Sequence, residues 1–283
     1  MKMGRDLFSK NIEKIKEILF AKKMYSQKEL NIILLQLKQK GLIAQDTSSR
    51  LFFEKLQAKL EIKTHSVVSD KINKVRYTLN SDIDMYDFVA SFEKNSFFPM
   101  STALNIQELN ICRDNFIFYA KELTEKHANN EDLHQDSIDK AYKRNYRYTS
   151  NIAKIENENI VYLMPKYTGR FEVINYKGYS VSSINRAFVE MLVNVQYYKT
   201  FEIVIECFKP LKNKIDLDTV FKVVEAFNFT YPYFQLVGYA LEKTGFTKEE
   251  LFSFKEKVSN LKFYTEKNRE NYYFDKYWNI YFS

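Results

Sequence analysis

Residues 48–79, SSRLFFEKLQAKLEIKTHSVVSDKINKVRYTL, constrain the fold more than any other stretch. Apolar residues at helical spacing (Phe52, Leu56, Leu60) give way to two runs rich in β-branched residues. Periodicity thus changes from that of a helix to that of a hairpin. Asp70–Lys71–Ile72–Asn73–Lys74 supplies the turn between the runs. On a helical wheel Phe52, Phe53, Leu56 and Leu60 share an inward face, while Arg50, Glu54 and Ala58 point outward, with Thr47 and Lys55 at the edges.

Two helices are expected upstream. SKNIEKIKEILFAKK (9–23) places Ile12, Ile15, Leu19 and Phe20 at helical spacing. Ser26-Gln27-Lys28-Glu29 is a capping-box pattern, and Gly41 stands where a helix C-terminus favours glycine. Three helices and a hairpin in about 70 residues is the order of a winged helix-turn-helix, which lays a helix in the major groove and a hairpin along the phosphate backbone.

Charge strengthens this reading. The chain is rich in Lys, Asn, Ile, Phe and Tyr, a bias that codon usage alone can produce, so bulk basicity is weak evidence. Its distribution is stronger evidence: residues 1–79 hold 17 Lys and Arg against 8 Asp and Glu, a net +9. The remainder holds 26 against 28, a net −2. A uniform bias does not localise charge in this way, whereas a domain that attracts polyanions does. The candidate DNA contacts are Arg50 for base reading through its two-pronged fork, with Thr47, Ser48, Ser49 and Lys55 beside it. Lys71, Lys74 and Arg76 are assigned to the wing.

Residues 80–283 read as a mixed body with a small sheet and a helical C-terminal half. The expected fold class is α+β, with domains at 1–79 and 80–283. Residues 82–95 and 101–110 are expected helices, 115–120 a buried strand, and 124–137 an exposed loop. Short strands are expected over 148–165 and 171–183, followed by five helical segments and an aromatic, strand-like tail carrying Trp278.

No catalytic constellation stands out. There is no Gly-rich phosphate loop, and His65, His127 and His134 have no metal-ligand spacing. Asp82/Asp84 and Asp216/Asp218 imitate paired metal-binding carboxylates, but each pair stands at an expected helix start, where Asp caps the N-terminus. No enzyme activity, metal or cofactor is expected. No apolar run approaches the ~20 residues that span a bilayer, and the first residues do not read as a signal peptide. Cys112 and Cys207 form no motif, so a reducing cytoplasm is expected.

Several segments resemble the AbiEi family of antitoxins from abortive-infection toxin–antitoxin systems. FVASFEKNSFFPMSTALNIQEL (88–109) resembles the family's interdomain junction, and GYSVSSINRAFVEMLV (178–193) its strand and Arg-Ala helix, through Asn185, Arg186, Ala187 and Phe188. YPYFQLVGYALEKTGF (231–246) is similar to its Leu-Gly-Tyr helix, and the Trp278 tail to its final strand. Asn185 stands where the family has Glu, Phe188 where it has Leu, and residues 122–150 have no counterpart. The resemblance implies an autorepressor that binds inverted repeats in its own promoter. It also implies that the C-terminal domain counteracts a nucleotidyltransferase-like toxin, with direct contact left open. Two rival readings are a winged-helix protein-docking adaptor and a nucleotide-dependent enzyme using an Asp pair.

Overall fold

The structure is a computed structural model and describes residues 6–69, 72–79, 83–109, 115–125, 133–155 and 157–283. It is an α+β protein that folds as two compact units, residues 1–94 with Ala153–Ile155, and residues 95–152 with 156–283.

The first unit opens with α1 (Leu7–Lys10) and α2 (Ile12–Phe20), then α3 (Gln27–Gln39) and α4 (Ser49–Leu60). The expected capping box forms. The Ser26 hydroxyl accepts from the Glu29 N–H, and the Glu29 carboxylate accepts from the Ser26 N–H at 2.8 Å. Ser48 caps α4 by accepting from the Leu51 N–H. Gly41, just past α3, has φ +65°, which a residue with a Cβ adopts only with strain. Phe52, Leu56 and Leu60 are buried against Phe8, Ile15, Leu30 and Leu34, so the inward face of α4 closes the core.

Strands β1 (Lys63–Val68) and β2 (Asn73–Thr78) form an antiparallel hairpin in which His65 faces Arg76 and Val67 faces Lys74. Tyr25 and Tyr77 exchange backbone hydrogen bonds at 2.9 Å, tying the α2–α3 connection to the hairpin.

The first unit ends at Lys94, not at Leu79, because α5 (Met85–Ala90) belongs to it. Asp84 caps α5, accepting from the Tyr86 and Asp87 N–H groups. The Phe88 ring packs edge-on against His65 of the hairpin.

Next in chain order come α6 (Met100–Ile106), β3 (Phe116–Ala120), α7 (Gln135–Tyr142) and β5 (Glu158–Leu163) of the second unit, with β4 (Ile152–Ile155), of which Ala153–Ile155 belongs to the first unit, before β5. Then come β6 (Val173–Tyr176), β7 (Tyr179–Ser182), α8 (Ile184–Val193), α9 (Phe201–Phe208), α10 (Leu217–Phe227) and α11 (Tyr233–Thr244). The C-terminal elements are α12 (Phe252–Glu256), β8 (Phe263–Tyr264), β9 (Tyr273–Asp275) and β10 (Ile280–Phe282). β3 pairs in parallel with β5, β6 with β7 antiparallel, and β10 lies between β8 and β9. Helix α8 is buried along most of its length, so the core is built around it. Asp216 caps α10 by accepting from the Thr219 N–H at 2.7 Å.

One expectation changes. Helix α7 begins at Gln135, so the end of the expected exposed loop is helical, with Ile138 and Tyr142 buried. Cys207 is buried on α9, and Cys112 lies outside the described residues. No helix among them is long and apolar enough to cross a membrane.

Candidate nucleic-acid interface

Helix α4 presents two contrasting faces. Its buried stripe holds it in the core, and its other side carries exposed Ser49, Arg50, Glu54, Gln57, Ala58 and Lys59. The Arg50 side chain is 90% exposed, and its Nε donates to Glu54 Oε1 at 2.9 Å one turn on. An exposed pair of this kind is worth well under about 1 kcal/mol, so Glu54 orients Arg50 without sequestering it. Ser48 and Ser49 are exposed at the start of the helix, where backbone N–H groups and the helix dipole favour anions.

The other assigned residues divide sharply. Thr47 is buried at 3% exposure. Lys55 is half-buried, and its ammonium lies 2.6 Å from Asp6 Oδ1. That ammonium and the Ser9 hydroxyl hold the Asp6 carboxyl at about 2. Lys71 lies outside the described residues.

Lys74 and Arg76 are not free wing cations. Lys74 is paired with Glu93 at 2.5 Å. Arg76 is 8% exposed. Its Nε donates to Ser91 Oγ at 2.9 Å, and Nη2 donates to the Ser91 and Phe92 carbonyls. The guanidinium also lies over the Phe92 ring. Residues two apart on a strand share a face. The face carrying Lys74, Arg76 and Thr78 is therefore covered by α5 and the turn after it.

Two further lysines, Lys59 and Lys63, were not singled out in the sequence. Both are exposed, one near the end of α4 and one at the start of β1, on the short connection between helix and hairpin. Their signal was position: lysines beside an αL residue, Glu61, that turns the chain from helix into strand.

The second unit holds a different kind of polar site. Arg186 on α8 is fully buried. Its Nε donates to Glu190 Oε1 at 2.7 Å, Nη1 to Thr168 Oγ1 and the Phe171 carbonyl, and Nη2 to Glu122 Oε1 at 3.1 Å. Phe97 and Phe227 lie over the guanidinium at 4.8 and 5.0 Å. Glu190 Oε2 accepts from the Ser182 hydroxyl and the Met100 N–H. Met100 has φ +59°, and this hydrogen bond helps hold that uncommon backbone. Burial disfavours the Glu122 carboxylate, but the Thr168 hydroxyl and N–H, the Arg170 N–H and the Arg186 charge outweigh it and hold its pKa below the ordinary value.

A cavity of about 250 Å³ opens beside this network, with Met100, Leu163, Pro165, Phe227 and Phe229 in its walls. Its two charged groups are engaged: Glu190 within the network, and Lys166 with the Asn228 carbonyl at 3.0 Å. The network thus ties α8 to the Thr168–Phe171 segment, Glu122 and the start of α6. Of the carboxylate pairs, Asp84 and Asp216 act as helix caps, and Asp82 lies outside the described residues. Among the described residues no three His, Cys, Asp or Glu side chains are grouped to hold a metal.

No protein-family model matches the chain, and no curated protein matches it. Among solved structures it is similar to the crystal structure of the RV2827C protein from Mycobacterium tuberculosis. The two share 7% identity and a TM-score of 0.56 over 96% of this chain and 90% of that one. At that identity the likeness is one of fold.

Proposed function

We propose that residues 1–94 form a winged helix-turn-helix that binds duplex DNA, and that the chain is an antitoxin repressing its own operon. Arg50 carries the reading. It is a fully projecting guanidinium on the solvent face of a helix whose opposite face is locked into the core. In this geometry α4 enters the major groove, Arg50 reads a guanine edge, and Ser48 and Ser49 contact phosphate. The element order supports the assignment, with the Tyr25–Tyr77 bridge supplying the third short strand beside the hairpin. Lys59 and Lys63 replace Lys74 and Arg76 as backbone contacts. The AbiEi resemblance of residues 178–193 and 231–246 supports the antitoxin role, with the second unit acting against a nucleotidyltransferase-like toxin.

The test is twofold. The chain should shift DNA from upstream of its own gene in preference to scrambled DNA, and co-expression should restore growth to cells expressing the toxin from the adjacent gene. DNA binding without rescue would leave a repressor that is not an antitoxin.

A protein-docking role has one observation in its favour. Ile32 and Leu35, three residues apart on α3, are 46% and 58% exposed, and Phe20 at the end of α2 is 61% exposed. Recovery of a stable protein partner that is lost on Ile32→Glu/Leu35→Glu, with no DNA binding, would favour that reading.

A further inference from the structure

A second cavity, of about 180 Å³, lies in the second unit where the segment after α7 meets the segment after β8. Tyr142, Tyr146, Arg147, Tyr231, Thr265 and Lys267 line it. The two segments are knitted together. Tyr146 Oη accepts from the Lys267 N–H at 2.9 Å, and the Tyr142 carbonyl accepts from the Asn268 N–H at 2.8 Å. The Lys267 ammonium sits 5.4 and 5.8 Å from the centres of the Tyr142 and Tyr146 rings.

The charges here are one-sided. Among the described residues, none of Lys267, Arg147 and Arg144 forms an ion pair. The adjacent carboxylate, Glu266, is occupied by Arg269 and the Phe201 N–H. Burial pushes the Lys267 ammonium below its usual pKa, and the Arg147 and Arg144 charges push it the same way. Thr265 is 2% exposed, and its hydroxyl has no hydrogen-bond partner. A half-buried ammonium beside two exposed guanidiniums, with no counter-charge of its own, favours an anion with several acceptor oxygens.

We propose that this cavity binds the phosphate group of a small phosphate monoester of the nucleoside-monophosphate class. Lys267 and Arg147 hold the phosphate oxygens, and the tyrosine walls border the body of the ligand. The cavity admits one phosphorylated end, not a strand, so the ligand is a small molecule and the site is independent of DNA binding by the first unit.

Isothermal titration of the full chain with AMP, inorganic phosphate, adenosine and a short single-stranded oligonucleotide tests this. AMP and phosphate should bind and adenosine should not. Lys267→Met and Arg147→Gln should each weaken AMP on the order of tenfold, about 1.4 kcal/mol. Lys199→Met/Lys214→Met, exposed lysines elsewhere on the same unit, should leave it unchanged. Arg147 is exposed, so its variant does not threaten folding. The proposal is overturned if AMP and phosphate do not bind, if only the oligonucleotide binds, or if the lysine control weakens AMP as much as the pocket variants do.

Discussion

Gly238, in the middle of α11, lies directly against the indole of Trp278, forty residues further on. A Cβ at Gly238 would collide with the six-membered ring. Trp278 is fully buried, and its Nε1–H donates to Glu242, one turn along the same helix. The glycine is there for close approach, not for a turn, and it lets the C-terminal segment lock onto α11.

Gly238→Ala should therefore destabilise the second unit despite the better helix propensity of alanine. Overpacking of this kind costs about 1–3 kcal/mol. Urea unfolding followed by tryptophan fluorescence reads it, since Trp278 is the only tryptophan. Gly238→Ala and Trp278→Ala, compared by urea unfolding followed by far-UV circular dichroism because the second variant lacks the fluorophore, should be non-additive, because removing the indole removes the collision. Strict additivity would show that the contact does not limit the helix.

Arg186→Met should cost more. It preserves bulk but leaves the Glu122 and Glu190 carboxylates buried without their cation. Breaking a buried pair in this way costs about 3–5 kcal/mol. Arg186→Lys should rescue little, because an ammonium cannot span Glu122, Glu190, Thr168 and the Phe171 carbonyl together. A midpoint within error of wild type for either variant would contradict the account.

Arg76→Ala separates a structural role from a DNA-contact role. The side chain ties the hairpin to the turn after α5, so its loss should lower the stability of the first unit by about 2 kcal/mol. The folded protein should keep its DNA affinity and salt slope. A salt slope reduced by about one contact would place Arg76 at the phosphate backbone instead.

Glu29 makes stability depend on pH. Burial raises its pKa, but the Lys22 ammonium and the Ser26 N–H and hydroxyl outweigh that and hold it at about 2, against 4.5 for the free side chain. A depressed carboxyl contributes stability above its unfolded pKa and loses it as pH falls towards the folded value. Thermal melts of wild type should thus lose stability between pH 4.5 and about 2 more steeply than melts of Glu29→Gln. Parallel curves for the two proteins would remove Glu29 from that role.

The local elements were legible because their signals are local. The capping box at Ser26 and Glu29 and the apolar stripe Phe52–Leu56–Leu60 each lie within a few residues and form as expected. The fate of Arg76 was not legible, and its cause is the domain boundary. Ending the unit at Leu79 leaves the His65–Arg76 face of the hairpin bare, so its cations look free. Including α5 covers that face with Phe88, Ser91 and Phe92. Arg186 had a signal that was passed over: Arg and Glu four apart in the otherwise apolar run RAFVEMLV (186–193), a spacing that pairs charges on one helix face. Its other partner, Glu122, is 64 residues away, and no local pattern reports it.

The most direct measurement is fluorescence anisotropy of the full chain on its own upstream DNA and on a scrambled duplex, for wild type and Arg50→Ala, across a salt series. The account predicts tighter binding to the upstream sequence, an affinity that falls steeply with salt, and a loss of about 1–3 kcal/mol of discrimination in Arg50→Ala with little change on scrambled DNA. Equal affinity for both duplexes, or an Arg50→Ala protein as discriminating as wild type, would contradict it.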